Sequence, residues 1–169
     1  MALKYFAMAA LLLTSATLPN GIDEFRWGMS VDELLKQAPA QKVELGHGYG
    51  YSEHTEANPE VYAQATDGKR HREFYFFRGK LYKIFTVYNR NLNQPEFYSA
   101  LMADLKKKHG EPARSYADQV MGLPVQHVEW KDEHNTIDLR MGAGFIFEVR
   151  FDNAAAAEKK VLNHLKQSI

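Results

Sequence analysis

The side chains with the most chemical promise crowd into one stretch, Gly46 to Arg72. Its front half, GHGYGYSEHTEANP, mixes glycines, tyrosines, two histidines and two glutamates without periodicity. His47, Glu53 and His54, joined by His71 on folding, have the donor types of a histidine–carboxylate metal site. That spacing is common by chance, and neighbours such as Glu53 and His54 both reach one ion only across a turn. Ser52 lies two residues from His54, yet no G-x-S-x-G elbow surrounds it, so the pair reads as ordinary neighbours. Gly46, Gly48 and Gly50 would suit a phosphate loop only if a Lys-Ser/Thr pair and a helix start followed, and neither does. A loop of this length inside a compact domain is usually functional or mobile.

Elsewhere the titratable groups read blandly. Glu129, Asp132, Glu133 and Asp138 could supply an acid–base pair, but carboxylates around a turn are most often solvated. His127 and His134 read as surface strand and turn residues, and His109 and His164 as helix flanks. Lys106, Lys107 and Lys108 could form a phosphate patch; they fit better as a last helical turn compensating the helix dipole. Trp27 and Trp130, with Tyr49, Tyr51, Tyr62, Tyr75 and Tyr82, could line a ligand groove or a protein contact. Of these, Tyr49, Tyr51, Tyr62 and Trp130 are the candidate binding residues. Tyrosine beside glycine resembles an adaptable contact surface, which puts binding ahead of catalysis.

The chain of 169 residues suits one domain. Lys+Arg and Asp+Glu both total 21, so no charge excess points to nucleic acid. Cysteine is absent, which removes disulfides, zinc–thiolate sites, thiol catalysis and a lipidated cysteine. Residues 1–20 read as a signal peptide cleaved near Ala16. Lys4 precedes an apolar run, and Thr14-Ser15-Ala16 gives a small-residue exit. The run is too short to span a bilayer, so no transmembrane anchor is expected after cleavage, and the protein should be periplasmic or secreted.

The elements that must position these residues start from the aromatic run Glu73 to Tyr88. Arg78-Gly79 breaks it into two strands joined by a tight turn. Alternation puts Leu81, Phe85 and Val87 on one face and Tyr82, Ile84 and Tyr88 on the other. Ser30 and Glu33 form a capping box for a first helix, with Met29 and Leu34 as its staple and Pro39 as its stop. Asn93, Pro95 and Glu96 start a second helix that Gly110 closes. Three strands are expected after each helix. Ser30 to Gly79 and Asn93 to Gly142 both span 49 positions, which suggests an internal duplication. A third helix follows Asp152 or Asn153 and should lie on the sheet with Val161, Leu162, Leu165 and Ile169 inward.

The segment Phe25-Arg26-Trp27-Gly28-Met29-Ser30-Val31-Asp32-Glu33-Leu34-Leu35, the hairpin Tyr75 to Tyr82 and the motif Lys108-His109-Gly110-Glu111-Pro112 resemble those of small exported bacterial proteins of unassigned role. The arrangement is similar to the fold of the SmpA/OmlA (BamE-like) envelope proteins and the β-lactamase inhibitor protein. The resemblance implies a protein-binding sheet surface and brings no catalytic residues. The chain lacks the cysteine that the lipoprotein members lipidate.

The expectation is thus an α+β domain over 21–169. Two helix-plus-three-strand units, at about 25–90 and 91–152, form an antiparallel sheet packed by helices, and a C-terminal helix runs over about 153–168. Its expected role is a non-catalytic binding module that contacts an envelope or secreted protein and needs no cofactor. The alternative is a small metal-dependent or hydrolase-like enzyme built on His47, Glu53, His54 and His71.

Overall fold

A computed structural model describes residues 17–37, 42–47, 61–66, 70–88, 94–120, 122–142 and 144–168, with the strands 42–47 and 61–66 described through their backbones. A small hairpin, β1 (Gly21–Ile22) and β2 (Phe25–Arg26), leads into helix α1 (Val31–Gln37). Strands β3 (Lys42–His47), β4 (Val61–Thr66), β5 (Arg70–Phe77) and β6 (Lys80–Tyr88) follow, then helix α2 (Gln94–His109). Strands β7 (Arg114–Val120), β8 (Leu123–Lys131), β9 (Asn135–Gly142) and β10 (Phe145–Asp152) come next, and helix α3 (Asn153–Gln167) ends the order.

The eight longer strands make one antiparallel sheet in the order β3-β4-β5-β6-β10-β9-β8-β7. This corrects the expected fold class. Strands dominate the described residues, and they do not divide into two helix-plus-three-strand units. The pairing of β6 with β10, from Phe147↔Val87 to Phe151↔Lys83, runs the hydrogen-bonded ladder straight across the expected boundary. Two of these eight strands went unforeseen, for different reasons. β3 lies partly inside the supposed long loop, and β7, RSYADQV, has too few apolar residues to show a buried face.

Local chemistry explains the ends of the elements. Ser30 N–H donates to Glu33 Oε2 at 2.7 Å while Glu33 N–H donates to Ser30 Oγ at 3.3 Å, so the capping box starts α1 as expected. Gly110, at φ 79°, closes α2 and sends its N–H to the Lys106 carbonyl. Asp152 caps α3 by accepting from Ala155 N–H at 3.0 Å. The β5–β6 turn has both Arg78 (φ 51°) and Gly79 (φ 72°) in the left-handed region, as a two-residue hairpin of right-handed twist requires.

One irregularity overturns the expected faces of β6. Tyr75 pairs with Lys83 but Phe76 pairs with Leu81, so Tyr82 is an extra residue, a β-bulge. Leu81 therefore joins Ile84 on one face, and Tyr82 turns to the other beside Phe77.

Helices α1 and α2 cover the first face, over two apolar clusters. Ile22, Phe25, Met29 and Leu34 pack on Phe74, Phe76, Leu81 and Ile84. Leu18 and Leu105 pack on Val128, Trp130, Ile137, Leu139 and Ile146. Fully burying each such side chain contributes about 1.5–3 kcal/mol. A buried polar strip separates the clusters: Arg72 bonds Asp23, Tyr88 donates to Glu148 Oε2 at 2.8 Å, and Arg150 pairs with Glu148. Burial, then the Glu148 carboxylate, pushes the Tyr88 phenol far up.

Helix α3 packs against β6 and β10 on the second face. There Lys159, itself buried, donates to the Tyr82 hydroxyl at 3.0 Å, and Arg78 meets Glu158 at 2.7 Å. The expected apolar side of α3 is corrected in part, since Val161 and Leu165 are exposed. No helix among the described residues is long and apolar enough to cross a membrane.

Candidate functional site

The second face of the sheet holds the groups left over for function, because α1 and α2 bury the first. Register assigns them. Phe85 and Val87 of β6 lie beside Val149 and Phe147 of β10, and Arg140, Asp138 and Thr136 follow on β9. His127, Glu129 and Lys131 continue the face on β8, with Tyr116 and Arg114 on β7.

In the middle of this face stand three half-buried phenylalanines. Phe85 and Phe147 are stacked with centroids 5.5 Å apart, and Phe145 tilts against Phe147 at the same distance. Nearby, the Lys83 ammonium sits 3.9 Å from the centroid of the half-buried Tyr75 ring. Half-covered aromatic rings in a row are apolar area that a partner can still remove from water.

Toward the β7 edge the face turns polar. The Nδ1 atom of His127 lies 3.2 Å from both carboxylate oxygens of Asp138, whose Oδ2 also accepts from Arg140 Nε at 2.7 Å. Arg114 grips Glu129 with two bonds of 2.9 and 3.0 Å. The Tyr116 ring stacks on His127 at 4.5 Å and 10°, and the Arg114 guanidinium lies over the same ring. Burial, then the Asp138 charge, pushes the Tyr116 phenol up. His127 Nε2 is buried without a hydrogen-bond partner among the described residues. With Nδ1–H given to Asp138, Nε2 is a bare acceptor. Among the described residues no hydroxyl bonds to it.

These positions correct the sequence reading. His127, Glu129 and Asp138, expected at the surface, are 5%, 7% and 3% exposed. Their burial was legible only in register: His127 and Glu129 alternate on β8, and Asp138 and Arg140 alternate on the strand beside it. His134 does lie in an exposed turn. Asp132 is a structural turn residue. Burial opposes its charge, but backbone N–H groups of Leu18, Asn135 and His134 hold its carboxyl below the ordinary range.

The other candidates fall in three groups. Tyr49, Tyr51, Glu53 and His54 lie outside the described residues, as do residues 1–16 of the expected signal peptide. His47 and Tyr62 are placed by backbone pairing alone, His47 opposite Val61 and Tyr62 opposite Tyr75. His71 pairs with Thr66, five positions along β4 from Val61. At about 3.4 Å per residue those ends are roughly 17 Å apart, too far for His47 and His71 to share one ion. His71 instead has its Nε2 3.4 Å from Glu73. Among the described residues no group of three or more His, Asp or Glu is placed to hold a metal. Trp130, expected on a contact surface, is 2% exposed and donates its Nε1–H to the Gly110 carbonyl at 2.8 Å. It is a core residue.

The sequence profile of the TP0088 domain matches residues 20–158, from the entry to β1 into the first turns of α3. No curated protein and no solved structure matches the chain.

Proposed function

The chain belongs to the TP0088 domain family, and for this member we propose a non-catalytic, periplasmic or secreted module that binds a protein partner through the second face of its sheet. The observation that carries the reading is the row of Phe85, Phe147 and Phe145, half-buried on a face that α3 covers in part. Rings of this kind anchor protein interfaces because they bring large apolar area at a small cost in side-chain freedom. The polar groups beside them are already tied to one another, as in Arg114–Glu129 and Asp138–Arg140, which suits a fixed rim better than a reacting centre. The likeness of Phe25 to Leu35, of the Tyr75–Tyr82 hairpin and of Lys108 to Pro112 to the SmpA/OmlA (BamE-like) proteins and the β-lactamase inhibitor protein supports the same reading. Export rests on the basic, apolar and small-residue order of residues 1–16.

A pull-down of the mature protein from envelope extract tests this. The wild type should retain a partner that Phe147→Ser, still folded, loses. Equal retention by the variant would remove the aromatic row from the reading. Catalysis has one specific support, the His127–Asp138 pair with its bare Nε2. A hydrolytic activity abolished by His127→Phe would favour that alternative.

A further inference from the structure

We propose that the outer edge of β7 pairs antiparallel with β7 of a second copy, centred on Tyr116, so that two chains share one continuous sheet. Among the described residues the edge is open: β7 ends the strand order, with β8 alone beside it. Natural edge strands are guarded by charged side chains, lysine above all, by proline or by a bulge. RSYADQV has no lysine or proline, its two charges, Arg114 and Asp118, are opposite in sign, and its register with β8 runs unbroken from Arg114 to Val120. The Gln119 N–H is bonded to the Asp118 carboxylate at 2.7 Å, so it points away from β8. In an antiparallel ladder alternate residues share that orientation, so Ser115 and Ala117 also turn their backbone N–H and C=O groups outward.

Charge selects the occupant and the register. With Tyr116 opposite its own copy, Arg114 stands opposite Asp118 of the second copy, twice by symmetry. Asp118 meets no cation among the described residues. Arg114 is 60% exposed, already bonded to Glu129, and has donors left for a second carboxylate. Ser115 then pairs with Ala117 of the second copy, two small residues whose outward groups exchange hydrogen bonds. Val120, 47% exposed, falls beside Pro112 of the second copy. A shift of one residue in either copy breaks the Arg–Asp match. The two-fold axis runs through the sheet, so the Phe85–Phe147–Phe145 rows of both copies face the same way. The edge is separate from that row and stands or falls without the function proposed for it.

One strand pair buries little area, so the association should be weak and concentration-dependent. Sedimentation velocity on the full chain, from roughly micromolar to roughly millimolar concentration, reads it directly. The wild type should pass from monomer to dimer. Asp118→Arg and Arg114→Asp should each stay monomeric, because like charges then face each other, while their equimolar mixture should dimerise, because both charge pairs are restored. Ala117→Pro removes an outward N–H without touching β8, so it should also stay monomeric at unchanged melting temperature. If Arg114→Asp does not fold, Asp118→Arg and Ala117→Pro still decide. A wild type that is monomeric throughout would overturn the proposal, and so would a dimer that survives Ala117→Pro.

Discussion

Trp27 and Asn135 are 108 positions apart and joined by one hydrogen bond, from Trp27 Nε1 to Asn135 Oδ1 at 2.6 Å. The same asparagine reaches the Leu18 carbonyl and receives its backbone order from Asp132. On the other side of Trp27, Gly28 N–H donates to the Leu81 carbonyl and Leu81 N–H to the Met29 carbonyl, both at 2.8 Å. The tryptophan-glycine-x-serine segment is therefore a clasp between the start of β6 and the β8–β9 turn. Asn135→Ala should cost about 1–2 kcal/mol, since the half-buried Trp27 indole N–H loses its acceptor. In a double-mutant cycle with Trp27→Phe the two losses should fall short of additive by at least about 0.5 kcal/mol, measured by urea unfolding.

Arg72 is 2% exposed, and its Nη2 donates to Asp23, a half-exposed residue at φ 52° in the β1–β2 turn. Asparagine tolerates that backbone conformation, so Asp23→Asn isolates the charge. The loss at neutral pH should be about 1–2 kcal/mol, held down by the water that screens Asp23. Burial opposes the Asp23 charge, but the Arg72 hydrogen bond and the charges of Arg72 and Arg70 outweigh it and hold the carboxyl below its ordinary range. A lowered carboxylate stabilises fully above its unfolded pKa of about 4 and loses that contribution as pH falls through the folded value. The gap between wild type and Asp23→Asn should therefore be constant from pH 7 to pH 5 and close below pH 4. A gap that widened in acid would contradict the sign.

His109, half-buried at the end of α2, has its pKa lowered by burial first and then by the nearby Arg150 charge. The folded state thus favours the neutral ring. Its contribution is complete above the unfolded value of about 6.5 and is lost as pH falls through the lower folded value, because the unfolded chain binds the proton more readily. Melting temperatures of wild type and His109→Gln, taken from pH 7.5 to pH 5, should converge as the solution is acidified. Parallel curves would show that the ring takes no part.

Much of this architecture was written locally and could be read locally. Ser30 and Glu33 sit at capping-box spacing, Gly79 and Gly110 stand where chains reverse, and aromatic alternation gave away β5 and β6. What escaped depended on partners distant in sequence. The Tyr82 bulge exists only in the pairing of β6 with β5, and without it Leu81 would face away from Ile84. Strand β7 holds its place through the ladder with β8, with little apolar area of its own. Trp130 looked like a contact residue by type, but its indole N–H is spent on the Gly110 carbonyl. The burial of His127 could not be seen from a strand that mixes polar and apolar residues. It follows from Tyr116 lying over the ring and Asp138 lying beside it.

That last cluster gives a contrast between two substitutions at one hydrogen bond. Asp138 is 3% exposed and accepts from both Arg140 and His127. Removing it in Asp138→Ala strands two donors on a crowded face and should cost about 2–4 kcal/mol. His127→Phe is different. The phenyl ring keeps the stack on Tyr116, Asp138 keeps Arg140, and the buried Nε2, without a partner among the described residues, disappears. Burying such an atom costs about 1–3 kcal/mol, which offsets the lost Nδ1 bond, so His127→Phe should lie within about 1 kcal/mol of wild type. Urea unfolding of both variants at pH 7 separates the cases. A loss in His127→Phe as large as that in Asp138→Ala would mean that Nε2 has a partner in solution, and that histidine stands there for a bond at each ring nitrogen.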